Sequence, residues 1–224
     1  MATISHSVTS PTPASPFEEA LADVLHRFGA RSADRAQWVA WALANPVFNL
    51  DQLRNYLMAP GRNPYGRRMI FQNEHIELIV MNWGERAKSL PHDHGQSEGW
   101  VRVLCGSALH ARYSAEGDQL QCVEEQRYAA GTIFHAPVGM VHHMGNATAE
   151  PLVTLHCYFP PIHRMEVFDM EASRAAIVSD DCGAWWPDSD GQIVETRVFG
   201  PEHAGAISAM SAMSAISAEA SHAG

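Results

Sequence analysis

Pro91-His92-Asp93-His94-Gly95-Gln96-Ser97-Glu98-Gly99, answered later by Gly131 and the run Pro137-Val138-Gly139-Met140-Val141-His142, decides how this chain is read. Side chains on a strand alternate between its two faces, so His92 and His94, one residue apart, project from the same face. His142 arrives from a distant strand behind a Pro-x-Gly turn. Three imidazoles brought together inside a β-barrel make a metal site, and imidazole suits iron, zinc, copper or nickel. His143 follows His142 and is expected to point to the opposite face. The chain has thirteen histidines, most of them scattered, so it is this spacing rather than their number that marks ligands.

The flanking segments read as short strands. Ile76, Leu78 and Val80 share one parity. Residues 100–104 form a further strand closed by Gly106. Residues 109–113 and 119–123 flank Glu116-Gly117-Asp118, which predicts a hairpin. Residues 133–134 and 152–158 follow. Many short strands at regular spacing predict a sandwich or barrel. Upstream the period changes. Leu21, Val24, Leu25 and Phe28 recur at helical spacing, with Gly29 as a stop. A second helix is predicted from Ser32 to near Asn45-Pro46, and Leu50, Leu53 and Leu57 suggest a third. The expected organisation is one domain over 17–203, with helices in 17–60 and a barrel core over about 65–170. Residues 1–16, rich in Ser, Thr, Pro and Ala, are expected to be disordered. Residues 204–224 are a low-complexity tail without assigned function. Trp185-Trp186-Pro187 is expected to pack over one barrel end.

Composition narrows the partners. The net charge is −10, and phosphate recognition needs a basic face, so nucleic acid is not expected. No apolar run reaches the ~18 residues a spanning helix needs, so no membrane association is expected. The N-terminus lacks a basic patch followed by an apolar stretch, so secretion is not indicated. Cys105, Cys122, Cys157 and Cys182 show no CxxC spacing and read as reduced thiols of a cytoplasmic protein. A monomer or weak homo-oligomer is expected.

Gly131-x5-Pro137-x-Gly139-x2-His142-x3-Asn146 resembles the second signature of the cupin superfamily. His92-x-His94-x3-Glu98 is similar to the first, although Gly84 lies two residues too far upstream. The implied fold is mainly β, a cupin double-stranded β-barrel (jelly roll) with an N-terminal helical segment. Tyr65-Gly66-Arg67, Trp83-Gly84, Pro91-His92-Asp93-His94, Gly99, His142, Asn146, Glu150-Pro151 and Thr154-Leu155-His156-Cys157-Tyr158-Phe159-Pro160-Pro161 narrow it further. Over roughly residues 60–170 the chain resembles the cysteine dioxygenase family of thiol dioxygenases.

The resemblance implies that His92, His94 and His142 hold one Fe(2+) per chain. Neutral ligands leave the metal charge uncompensated and favour an anionic thiolate; three facial ligands leave room for bidentate substrate and O2. Glu98 stands where many cupins carry a fourth ligand, which would favour manganese; thiol dioxygenases lack that carboxylate. Arg67 aligns with the arginine that holds the substrate carboxylate, a pairing suited to a bidentate guanidinium fork. Tyr65 is expected either to add a hydroxyl near that carboxylate or to pack the barrel. Arg68 is expected to face outward; in the pocket it would favour a dicarboxylic thiol. Arg164 and Met165 follow Pro160-Pro161 and either close the pocket or lie outside it. Thr154, His156 and Tyr158 share a strand face, and the resemblance makes them a hydrogen-bond relay that orients the tyrosine beside the iron. Animal-type members carry a cysteine five residues past the second histidine, joined to that tyrosine; here the position is Gly99, so a bacterial type without the crosslink is expected.

The expected activity is oxidation of L-cysteine to cysteine sulfinic acid by O2. The alternatives are the same chemistry on 3-mercaptopropionate, mercaptosuccinate or cysteamine, a non-catalytic cupin that binds a small ligand, or a manganese cupin.

Overall fold

The computed structural model describes residues 17–19, 21–23, 35–116 and 119–199. The expected disordered stretch 1–16, the later part of the first helix with Gly29, the hairpin tip Gly117-Asp118 and the tail 204–224 lie outside the described residues. Residues 17–19 and 21–23 are helical, two short segments, α1 (Arg35–Leu43) and α2 (Leu50–Leu53), follow before the strands, and a 3-10 turn (Arg54–Tyr56) follows α2. Asn49 caps α2 by accepting from the Gln52 amide.

Eleven strands follow among the described residues. Five of them, β1 (Tyr65–Gln72), β2 (Glu77–Trp83), β3 (Glu98–Cys105), β6 (Ile133–Ala136) and β8 (Leu152–Phe159), form one sheet in the order β1-β2-β8-β3-β6. β8 is buried at every position, because it is central in the sheet and both of its faces are covered. Inward, Leu152 and Tyr158 join Ile79, Met81, Trp83, Val101 and Val103 in the barrel core. Outward, Val153, Leu155, Cys157 and Phe159 pack with Leu78 and Val80 against Val39, Leu43, Phe48 and Leu53 of the helical segment. Ile76, Leu78 and Val80 therefore do share a face, and it is the one under the helices. Arg102 on β3 fastens that layer by donating from Nη1 to the carbonyls of Leu43 and Asn45. Burial of each large apolar side chain here is worth roughly 1.5–3 kcal/mol.

The opposing wall has two three-stranded pieces, β5-β4-β7 and β11-β10-β9. Their strands are β4 (Ser107–Glu116), β5 (Gln119–Ala129), β7 (Val141–Asn146), β9 (Glu166–Asp169), β10 (Arg174–Val178) and β11 (Ile193–Val198). The segment around His92 stitches the pieces together, with bridges to His142 of β7 and Val167 of β9. The architecture is the expected double-stranded β-barrel, its strands running past residue 170 to Val198. Between β3 and β4 the chain reverses at Gly106, whose φ is +80° and whose missing Cβ would lie 2.2 Å from the Pro151 carbonyl oxygen, so only glycine fits there. Trp185 packs on Tyr65, with ring centroids 5.1 Å apart. Among the described residues no helix is long and apolar enough to cross a membrane.

Candidate metal centre

His92 and His94 lie in an extended segment before β3 rather than in a regular strand. His92 exchanges both backbone hydrogen bonds with His142 at 2.9 Å, and this pins the segment to β7. The alternation expected of a strand still holds, and His92, His94 and His142 form the one His/Cys/Asp/Glu group among the described residues that could hold a metal. Their ligand atoms lie within 4.8 Å of one another and all three residues are buried. The Nε2 atoms of His94 and His142 face each other at 3.1 Å. His92 donates from Nδ1 to the Leu90 carbonyl at 2.9 Å, which frees its Nε2.

The protonation states suit a metal. Burial lowers the pKa of His92 to about 4 and holds His94 and His142 well below the usual imidazole range, with the neighbouring histidines adding to the effect. The site thus offers three neutral nitrogen donors near pH 7, the form a divalent transition metal requires. His143 lies on the other side of β7, where it hydrogen-bonds the Tyr113 hydroxyl at 2.8 Å.

A chain of hydrogen bonds runs along the inner face of β8. The Trp83 indole N–H donates to Thr154 Oγ1 at 2.8 Å. Thr154 Oγ1 is 2.7 Å from His156 Nε2, and His156 Nδ1 is 2.9 Å from the Tyr158 hydroxyl. An indole only donates, so Thr154 accepts from Trp83 and can donate its own O–H to His156 Nε2. His156 then carries its hydrogen on Nδ1 and donates to Tyr158, whose O–H is left to donate elsewhere. Burial favours the neutral forms that this polarity needs: it lowers the pKa of His156 to about 3 and raises that of Tyr158 well above the phenol range. The Tyr158 ring meets that of His94 edge-on, centroids 4.9 Å apart, so the relay ends beside the histidine cluster. Trp83, which starts the relay, had no assigned role in the sequence reading.

Arg67 lines the same cavity as the three histidines, and among the described residues it is the only arginine or lysine that does so. Its Nη1 donates to the carbonyls of Asp180 at 3.1 Å and Cys182 at 2.9 Å. Its Nη2 donates to Glu77 at 3.1 Å. Glu77, 2% exposed, accepts the Ile162 amide at 3.1 Å with its other oxygen. The sequence reading missed this buried carboxylate; the one signal for it was an acidic residue at an inward position of an apolar strand. Three of the five guanidinium donors are engaged in this way, which leaves two for a ligand. The Tyr65 hydroxyl accepts the Ala184 amide at 2.7 Å, and its ring packs on Trp83. Tyr65 both lines the cavity and packs the barrel.

The structure separates Glu98, Arg68 and Arg164 from the site. Glu98 belongs to the outward parity of β3, with Trp100 and Arg102, and reaches His135 at 3.1 Å; it is outside the metal-ligand group. Arg68 is exposed. Arg164 pairs with Glu195 at 3.2 Å on the surface, whereas Met165 does line the cavity. Cys182 also lines it, a placement its position in the sequence did not signal. Its thiol is pushed up to about 11 by burial, so it is a neutral wall rather than a thiolate.

The family model for cysteine dioxygenase type I matches residues 9–171 of this chain. Cysteine dioxygenase type 1 of Homo sapiens is 26% identical over 152 residues, covering 65% of this chain and 68% of the human protein. Cysteine dioxygenase type 1 of Danio rerio is 23% identical over 150 residues, covering 56% and 73%. Among solved structures, an uncharacterized conserved protein with a double-stranded beta-helix domain from Klebsiella pneumoniae is 18% identical. Its TM-score is 0.45, with 55% of this chain and 91% of that chain covered.

Proposed function

Because the chain belongs to the cysteine dioxygenase type I family, we propose that it is an iron-dependent thiol dioxygenase converting L-cysteine and O2 to cysteine sulfinic acid. The observation that carries this reading is one cavity lined by three buried neutral histidines and a single guanidinium. His92, His94 and His142 would hold one Fe(II). Iron there would supply the O2 redox chemistry by which a thiolate becomes a sulfinate.

The protein side chains do the rest. Arg67 has two free donors, enough for one carboxylate. This favours a monocarboxylic thiol, and the outward Arg68 removes the second cation that mercaptosuccinate would call for. Cysteamine, lacking a carboxylate, would leave those donors without a partner. Tyr158 directs its O–H toward the histidine cluster, with His156, Thr154 and Trp83 fixing its direction. Ile79, Met81, Ile162, Met165 and Val178 supply apolar walls that limit water and strengthen these polar contacts. With Glu98 turned to His135, the manganese alternative loses its fourth ligand. Four free thiols fit a reducing compartment such as the cytoplasm.

Oxygen uptake by the anaerobically iron-loaded protein over a panel of thiols tests this reading. Cysteine is expected to drive uptake with one O2 consumed per thiol, ahead of 3-mercaptopropionate, mercaptosuccinate and cysteamine. Thiol binding without oxygen consumption would instead identify a binding module.

Tyr158 is proposed to remain unmodified. A Cβ on Gly99 would lie 2.8 Å from Tyr158 Cε1 and 3.2 Å from His94 Cε1, so the position facing the ring has no sulfur. Cys157 adjoins Tyr158 in sequence but packs on the outward face of β8. Intact mass after turnover is expected to show no two-hydrogen deficit. A peptide joining Tyr158 to any cysteine, Cys182 included, would overturn this.

A further inference from the structure

We infer that His110 is a positioning residue for the metal ligand His142, and that it does so as an uncharged acceptor. His110 sits on β4 and is 4% exposed. Its Nε2 is 2.8 Å from His142 Nδ1. For His142 Nε2 to present a lone pair to a metal beside His94 Nε2, its hydrogen must be on Nδ1, and that N–H donates to His110. The bond fixes the tautomer and, with it, the direction of the ring. The His110 ring is itself held in place, with centroids 4.9 Å from Phe134 and 5.9 Å from Tyr128. The contact comes from register: in the β4–β7 pairing His110 lies opposite Met144 and Arg112 opposite His142, so His110 and His142 are diagonal neighbours across two strands.

The kind of acceptor has a consequence. Partners behind ligating histidines are commonly carboxylates, carbonyls or water, and they raise ligand basicity. A carboxylate adds a negative charge to the centre. Here the partner of His92 is the Leu90 carbonyl and the partner of His142 is an imidazole, so neither brings formal charge. A divalent metal on these ligands keeps its full charge for an anionic ligand from solution, which is how a thiolate would be selected. This inference rests on the three-histidine centre described above.

The test is Fe(II) affinity of the full-length protein, measured anaerobically by competition with a coloured chelator, with circular dichroism of each metal-free variant as the check on folding. Wild type is expected to bind one Fe(II); failure of wild type to bind would sink the metal centre itself rather than the role of His110. H110L keeps apolar volume and removes the acceptor, and is expected to bind about 10–100-fold more weakly. H110Q offers a side-chain carbonyl to the same N–H and is expected to recover most of the loss. Equal affinity of H110L and wild type, or H110Q as weak as H110L, would overturn the positioning role, the latter by assigning the effect to packing against Phe134. H110E places a carboxylate behind His142. In the Co(II)-loaded protein it is expected to bind azide at least ~10-fold more weakly than H110Q does; equal azide affinity would overturn the uncharged-acceptor half of the inference.

Discussion

H92A, H94A and H142A proteins are each expected to purify without iron and to oxidise no thiol. A three-ligand site that loses one neutral donor retains two, and the removed ring also vacates buried space that water can enter. The metal contributes several kcal/mol of transition-state stabilisation in enzymes of this kind, which corresponds to a loss of about 10³-fold or more in rate. H143A is the control: its side chain lies across β7 against Tyr113, and the variant is expected to keep its iron. Metal analysis with oxygen uptake reads both quantities on the same samples. An iron-loaded, active H142A protein, or an iron-free H143A protein, would mean that the cluster at β7 has been assigned to the wrong face.

Loss of the Arg67 fork is expected to produce the next largest effect, and the structure changes how it must be measured. Arg67 is the ion partner of Glu77, whose side chain is 3% exposed. Removing one partner of a buried pair leaves an uncompensated charge and costs about 3–5 kcal/mol of stability, so R67A alone would mix unfolding with lost binding. The R67A/E77Q double variant avoids the stranded carboxylate, and E77Q alone serves as its reference. Each charge-assisted hydrogen bond is worth about 1.5–3 kcal/mol, so kcat/KM for cysteine is expected to fall at least ~10–100-fold from E77Q to the double variant. Iron occupancy should stay unchanged. Turnover of cysteamine, which has no carboxylate, should move little. An equal fall for cysteine and cysteamine would remove Arg67 from carboxylate recognition.

The three-histidine cluster was legible because the physics that places it is local. Two residues of equal parity in an extended segment share a face whether or not the segment is a regular strand, and His92 and His94 kept that property in a stretch held by isolated bridges, His92 to β7 and β9 and Gly95 to His163. The Pro-x-Gly-x2-His spacing selected His142 over its neighbour His143, which alternation sends to the opposite face. The relay on β8 was legible too, since Thr154, His156 and Tyr158 need only alternation along one strand. β10 and β11 were harder to read. β11 is an edge strand exposed along most of its length, so burial imposes no alternation of apolar and polar residues there.

What the amino-acid order determined alone, then, is the family, the barrel and which residues share a face on the segments that carry the three histidines and the relay. Tertiary structure decided which of those residues touch. Glu98 turns to His135 because core packing commits Val101 and Val103 to the interior and sets the parity of β3. Glu77 meets Arg67 because Arg67 pairs with Met81, whose inward parity on β2 Glu77 shares, and the guanidinium is long enough to reach along the sheet to it. Cys182 lines the cavity, Trp83 starts the relay and His110 backs His142 through contacts between residues 32 to 115 apart in sequence. Such contacts depend on cross-strand register and on the path of connecting loops, which emerge from the packing of the whole barrel and leave no periodic mark in the chain.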